Sequence, residues 1–331
     1  MGLVNLNDML QHGYRHGYAV GSFNVVSLEF LNGVLEAAEK KRSPIIVSIA
    51  ESHFKYIDIE QIAPVVEHMA QNASVPVVLN LDHGESLETV IRTLRCGFSA
   101  VMFDGSKLPF EENVEQTALI VKVAHAVGVS VEAELGQVGG AEGGSGLAVA
   151  RREFFTDPDE ARVFVERTGV DALAVAIGNA HGLYKGEPEL DFERLEALRE
   201  ATGIPLVLHG GSGISDDDFR RAAHLGISKI NFFTEMSREA TERVKRMLSE
   251  DPAIIGLQDL LYGAKETIKE VVAERIEVFG SAGVCGTPNE LCPGCQACAL
   301  GTSDGTVSPR VDEEKLVRIV SEVVTQTLRA R

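Results

Sequence analysis

The chain has 331 residues, and 31 Lys+Arg against 49 Asp+Glu leave a formal net charge of −18. That excess of acid disfavours nonspecific attachment to nucleic acid or to an anionic membrane, so an anion site must be a local exception. No apolar run of about twenty residues and no N-terminal signal-type segment occurs, which makes a cytoplasmic protein with reduced or metal-bound cysteines the expectation.

Short β-branched runs alternate with amphipathic stretches along the chain. The runs Val20–Val25 and Ile45–Ala50 bracket a helical pattern over Leu31–Lys41, whose apolar residues recur at helical spacing. A helix over Ile59–Gln71 leads to the run Val77–Leu81, and one over Leu87–Cys96 leads to Ala100–Phe103. A helix over Val114–Val127 precedes the run Val129–Glu134, followed by Ala172–Ile177, Pro205–Leu208, a helix over Asp216–Leu225, and the run Ser228–Asn231. Eight such runs favour a closed (β/α)8 TIM barrel over residues 1–283, with an open doubly wound sheet as the alternative.

Residues 284–310 then carry a cysteine cluster and a Gly/Ser/Thr linker, and 311–331 a tail. Cys285, Cys292, Cys295 and Cys298 could wrap one tetrahedral zinc or an iron–sulfur cluster, or form a redox-sensitive thiol group; Cys96 stands apart as a core residue. Over Val311–Leu328, Leu316, Ile319, Val320, Val323, Val324 and Leu328 share one helical side that needs a partner. Packing or oligomerisation would supply one. The pattern is also similar to terminal helices that dock enzymes into a bacterial microcompartment shell.

In a barrel of this kind the functional groups come from the C-terminal ends of the strands. Those ends read Asn24, Glu51, Asp82-His83, Asp104, Glu134, His181, His209 and Asn231. Asp or Asn there can simply cap the next helix. Histidine is a poor cap, so His83, His181 and His209 point to one metal site. His209 is followed at once by Gly210-Gly211-Ser212-Gly213, where backbone N–H groups can approach an anion closely. A metal beside a phosphate fits both features.

From Gly21-Ser-Phe-Asn-Val25 to Val278-Phe-Gly-Ser-Ala-Gly283 the chain resembles the class II, metal-dependent ketose-bisphosphate aldolases. The motifs are Leu81-Asp-His-Gly84, Val101-Met-Phe-Asp-Gly-Ser106, Val131-Glu-Ala-Glu-Leu-Gly136 with Gly139-Gly140, Gly178-Asn-Ala-His-Gly-Leu-Tyr-Lys-Gly186, His209-Gly-Gly-Ser-Gly213 and Lys229-Ile-Asn-Phe-Phe-Thr234.

The resemblance implies that His83, His181 and His209 hold a catalytic zinc whose charge polarises a carbonyl and stabilises the enediolate left by carbon–carbon cleavage. It puts a second divalent metal at Asp104 and Glu134, and a monovalent cation near Gly182, Gly210 and Ser212. Asp82 is implied to take the C4 hydroxyl proton. Glu142, on the glycine-rich stretch after Gly139-Gly140, is implied to serve the carbon proton from a mobile lid, although Gly143 follows it where Asp is usual. Asn24, Gly182, Gly210, Gly211, Ser212, Asn231 and Thr234 are implied to meet phosphate and hydroxyl groups of dihydroxyacetone phosphate; Lys185 is either a phosphate partner or a surface charge.

The aldehyde side departs from the pattern, because Ala50 stands where a serine generally follows the second strand. Arg275, in the helix expected before Phe279-Gly-Ser-Ala282, is a candidate for a distal phosphate, within the chain or across a subunit boundary. The expected substrate is fructose 1,6-bisphosphate, with tagatose 1,6-bisphosphate or another phosphorylated ketose as the alternative, and the expected assembly is a homo-oligomer, dimer or tetramer. From other classes, a barrel metallohydrolase would show His-x-His on the first strand, where this chain has Phe23-Asn-Val25, and a noncatalytic scaffold would not keep Asp82 with all three histidines.

Overall fold

The computed structural model describes residues 3–140, 147–148, 151–184, 186, 188–286 and 313–329. The β-branched runs form β1 (Val20–Asn24), β2 (Ile45–Ala50), β3 (Val77–Gly84), β4 (Ala100–Phe103) and β5 (Ser130–Leu135). Two short strands, β6 (Leu147–Ala148) and β8 (Leu183–Tyr184), make a separate parallel pair. With β7 (Ala172–Val175), β9 (Leu206–Leu208) and β10 (Ile227–Phe232), the five longer strands close into a parallel barrel in the order β1-β10-β9-β7-β5-β4-β3-β2. The closed (β/α)8 expectation holds, and the open doubly wound sheet does not.

Helices α2 (Leu28–Lys41), α3 (Ile59–Asn72), α4 (Leu87–Arg95), α5 (Phe110–His125) and α8 (Asp216–His224) lie where the apolar periodicity placed them. Four others were not singled out from the sequence: α1 (Leu6–His16), α6 (Pro158–Thr168), α7 (Phe192–Thr202) and α9 (Thr234–Glu250); α10 (Leu257–Val278) is the helix expected before Phe279. Several are dominated by charged residues, and their stability comes from a narrow buried stripe such as Phe192, Leu195 and Leu198 of α7.

Two apolar layers result. The outer one lies between strands and helices, and includes Phe23, Val47, Leu79 and Val131 from the sheet with Leu31, Ile62 and Ile268 from the helices. The inner one fills the barrel floor: Val20, Ile46, Val78 and Val207 meet Leu6, Met9 and Leu10 of α1, which plugs the N-terminal end. Each fully buried Leu, Ile or Val contributes about 1.5–3 kcal/mol. Closing the floor leaves the C-terminal mouth as the open end.

The tail forms α11 (Glu313–Arg329), which overlaps the stretch expected to be helical. Leu316 is 2 % exposed and joins the outer core, with Val320 and Val323 packed against that core and Val317 facing out. The apolar side of α11 thus has an intramolecular partner in the neighbourhood of α5. Cys96 is half-buried against the same core. Cys285 is half-buried, its N–H donating to the Arg42 carbonyl at 3.0 Å, while Cys292, Cys295 and Cys298 lie outside the described residues. Among the described residues no helix is long and apolar enough to cross a membrane.

Candidate active site

Alternate residues of a strand face the barrel axis, so each strand can be followed upward from floor to mouth. On β1 the inward series is Val20, Ser22, Asn24; on β2 it is Ile46, Ser48, Ala50; on β3 it is Val78, Asn80, Asp82. Apolar positions give way to polar ones. Ser22 and Ser48 hydroxyls lie 2.7 Å apart, and Asn80 Nδ2 donates to Ser48 Oγ at 3.2 Å, forming a buried polar layer beneath the mouth.

At the mouth His83, His181 and His209 converge, with ligand atoms of all three within 4.8 Å of one another. β3 extends past the expected Leu81 through Gly84, so His83 sits inside the strand, where the pairing with β4 slips between Leu81 and Gly84. His83 adopts φ 47, a conformation uncommon outside glycine, and the irregularity re-aims its ring toward the axis. Its Nδ1 is 2.9 Å from Asp104 Oδ2. His181 is anchored by its own N–H, which donates to the Gly139 carbonyl at 2.7 Å.

His209 is held from beneath. Its Nε2 donates to Glu132 Oε1 at 2.8 Å, and Lys229 Nζ donates to Glu132 Oε2 at 2.7 Å, all three side chains being buried. That leaves His209 Nδ1 and His181 Nε2 buried with no hydrogen-bond partner among the described residues. Burial, followed by the neighbouring histidines, holds His181 well below its ordinary pKa; burial also lowers His209. Neutral rings with lone pairs aimed at a common point fit a divalent cation that prefers nitrogen ligands.

Asp82 is fully buried beside them. Asn24 Nδ2 donates to Asp82 Oδ2 and Asn231 Nδ2 to Oδ1, each at 2.8 Å. Burial alone would raise its pKa. Interactions with His83, His209 and Lys229 and the Asn24 bond outweigh that and keep the carboxyl well below the usual carboxylate range. An oriented, ionised carboxylate stands next to the candidate metal ligands.

Asp104 and Glu134 form with His83 a second convergent group. Burial, reinforced by the Asp104 charge, pushes Glu134 up to about 8, and its Oε2 lacks a hydrogen-bond partner among the described residues. Asp104 goes the other way: burial would raise it, but the bonds from His83 and Ser106 hold it low. These groups border a cleft of about 350 Å³ that His181, Ser52 and Gly139 also line.

The glycine turn after β9 has a packing reason. Gly210 has φ 65, and a Cβ there would lie 2.2 Å from the Ala180 carbonyl oxygen, so the backbone beside His181 leaves no room for a side chain. Gly211 is likewise tight: a Cβ there would lie 3.0 Å from the Asn231 carbonyl oxygen. Gly182 has φ 91, Ser212 Oγ accepts from the Glu235 N–H at 3.2 Å, and Thr234 opens the 17-residue α9. A helix start places orphan N–H groups and positive potential there, a ready anion-binding end.

Other expectations fall differently. Glu142 and Lys185 lie outside the described residues. Arg275 Nη1 donates to Asp216 Oδ1 at 2.8 Å, its guanidinium lies over the Phe232 ring, and its side chain is 13 % exposed. Ala50 ends β2 in register with Asp82, as its place in the sequence implied. Glu132 and Lys229 had not been singled out, although both stand inside strands on the inward side, Glu132 between Ser130 and Glu134 on β5 and Lys229 two residues below Asn231 on β10.

Residues 4–284 match the family described as fructose-bisphosphate aldolase class-II. The chain is 43 % identical over 288 residues to the fructose-bisphosphate aldolase of Geobacillus stearothermophilus, covering 86 % of this chain and 99 % of that protein. It is 42 % identical over 285 residues to the fructose-bisphosphate aldolase of Staphylococcus aureus, covering 85 % and 99 %. It is similar in structure to the YdjI aldolase of Escherichia coli K12, with a TM-score of 0.76, 40 % identity, and 85 % and 98 % of the two chains covered. The cysteine cluster and α11 lie beyond the family match. With the barrel, the histidine cluster and these likenesses in agreement, the chain belongs to the class II fructose-bisphosphate aldolase family and is a carbon–carbon lyase of the aldolase type.

Proposed function

We propose that this enzyme is a zinc-dependent aldolase that reversibly cleaves a ketose 1,6-bisphosphate, fructose 1,6-bisphosphate foremost, to dihydroxyacetone phosphate and an aldehyde. The observation that carries the reading is the convergence of His83, His181 and His209 beside an ionised Asp82. Zinc bound by the three neutral imidazoles would supply an undiminished positive charge that polarises the ketone carbonyl and offsets the negative charge developing next to it.

The chain's own groups do the rest. Asp82 takes the proton of the C4 hydroxyl, the C3–C4 bond breaks, C4 becomes the aldehyde carbonyl, and the bonding electrons stay with the three-carbon half. Asn24 and Asn231 hold both Asp82 oxygens in place, so the carboxylate needs no reorganisation. A proton must then be added at C3, and Glu142 is the group assigned to it. Gly182, Gly210, Gly211, Ser212, Asn231 and Thr234 are assigned to the phosphate and hydroxyls of the three-carbon half, an assignment supported by the start of α9 at Thr234. Asp104 and Glu134 are assigned to a second divalent cation, supported by the unpartnered Glu134 Oε2.

The test is zinc content together with dihydroxyacetone phosphate release from fructose and tagatose 1,6-bisphosphates, for wild type, Asp82→Ala and His209→Ala, with and without chelator. Chelator-sensitive release that both substitutions abolish is expected, and the faster sugar names the substrate. Zinc-loaded protein that releases nothing from either sugar would overturn the assignment.

A further inference from the structure

His53 closes the short turn Glu51–His53 that follows β2, at the end of the barrel that carries Asp82. The turn borders the cleft through Ser52. Glu51 is already committed, accepting from the Glu85 N–H at 2.7 Å and from Thr89 Oγ1 at 2.8 Å. His53 is not. The residue is 4 % exposed, and its Nδ1 has no hydrogen-bond partner among the described residues. Leaving a buried ring nitrogen unsatisfied is costly, so a ligand group that reaches it gains more than it would in water.

The ring is also well fixed. Its centroid lies 4.7 Å from that of Phe233 at 49°, and Phe233, braced by Phe30 at 6.0 Å, immediately precedes Thr234. Burial keeps the imidazole neutral, while the Asp82 charge is near enough to act on it. A neutral imidazole can either donate to a hydroxyl or accept from one. Ala50, in register with Asp82, offers no polar group on this side.

We propose that His53 is a specificity-determining residue that hydrogen-bonds the hydroxyl next to the carbonyl of the departing aldehyde, and so selects α-hydroxyaldehydes. The inference rests on the aldolase reading, and its test separates the two halves of the reaction. Exchange of the C3 proton of dihydroxyacetone phosphate in D2O requires no aldehyde. Condensation of dihydroxyacetone phosphate with glyceraldehyde, or with propanal as the same carbon chain without hydroxyls, requires the aldehyde subsite. All are measured on the metal-replete full-length chain for wild type, His53→Phe, which keeps an aromatic ring against Phe233, and His53→Gln, which keeps a polar group.

The expected result is proton exchange within about two-fold of wild type for both variants. His53→Phe should lose about ten-fold in kcat/KM for glyceraldehyde, the factor of one lost hydrogen bond, with propanal unchanged, and His53→Gln should recover part of the loss. Equal losses with both aldehydes, a parallel loss of proton exchange, or no loss at all would overturn it. A wild type that neither exchanges nor condenses would overturn the aldolase reading with it, whereas a wild type active in both but indifferent to His53 would overturn this inference alone.

Discussion

His209 and Glu132 form a fully buried pair, with Nε2 donating to Oε1 over 2.8 Å and Lys229 bonded to the second oxygen at 2.7 Å. The carboxylate fixes the ring proton on Nε2 and leaves the Nδ1 lone pair for a cation. Lys229 in turn compensates the carboxylate, whose pKa stays low because Lys229 and His209 outweigh the effect of burial. Such a unit tolerates the loss of no single member, because the remaining charge is stranded without water.

Glu132→Gln keeps the side-chain shape but weakens the orientation of His209. Zinc affinity, read by competition with a coloured chelator, should fall roughly 10- to 100-fold. Lys229→Met should lower the unfolding free energy in urea by about 3–5 kcal/mol. An unchanged zinc affinity in Glu132→Gln would show that the carboxylate does not orient the ligand.

Asp82→Asn replaces an oxygen that accepts from Asn24 or Asn231 with a second amide donor. Two facing donors leave one bond unmade, costing about 1–3 kcal/mol of stability. Cleavage should fall by about 10²- to 10⁴-fold, the usual contribution of a general base, while zinc stoichiometry stays at the wild-type value. Loss of zinc along with activity would move the role of Asp82 from proton transfer to assembly of the site.

His125 Nε2 lies 2.8 Å from Asp171 Oδ2, and that bond raises the histidine's pKa above its ordinary value despite partial burial. A raised folded-state pKa stabilises the fold below the unfolded value, and the contribution disappears as pH rises through the folded one. Wild type should therefore exceed Asp171→Asn in stability by more at about pH 5.5 than at about pH 8.5, where the imidazole is neutral in both states. The pH-dependent part is small, because the His125 side chain is 42 % exposed. Urea titrations at the two pH values measure it; equal differences would remove the charge from the interaction.

Leu316 anchors α11 to the barrel from within the outer core. Leu316→Ala should release the helix without unfolding the barrel, because its other apolar contacts, Val320 and Val323, are only partly buried. Hydrogen–deuterium exchange is expected to accelerate over 313–329 and on the facing side of α5, with cleavage activity retained. Unaltered exchange over 313–329 would show that Leu316 does not hold the helix.

The strand count and the mouth-facing His83, His209 and Asp82 were legible along the chain, because a strand repeats every two residues and ends in a polar group; His181 was legible as well, although it lies in the loop beyond the end of β7 at Val175. Charge-rich α6 and α7 were not, since their periodicity rests on a few buried residues. The ion pair of Arg275 with Asp216 spans 59 positions, a distance no local pattern encodes.

What the sequence by itself determined is therefore the parallel alternation of strand and helix, and which residue types stand at the mouth. Closure of the barrel decided the rest, by bringing residues from opposite strands to one axis. Glu132 reaches His209 across 77 positions and Lys229 across 97, and Asn231 reaches Asp82 across 149. Each pair is chemically useful only where water is excluded, and that exclusion exists only once all eight strands have met.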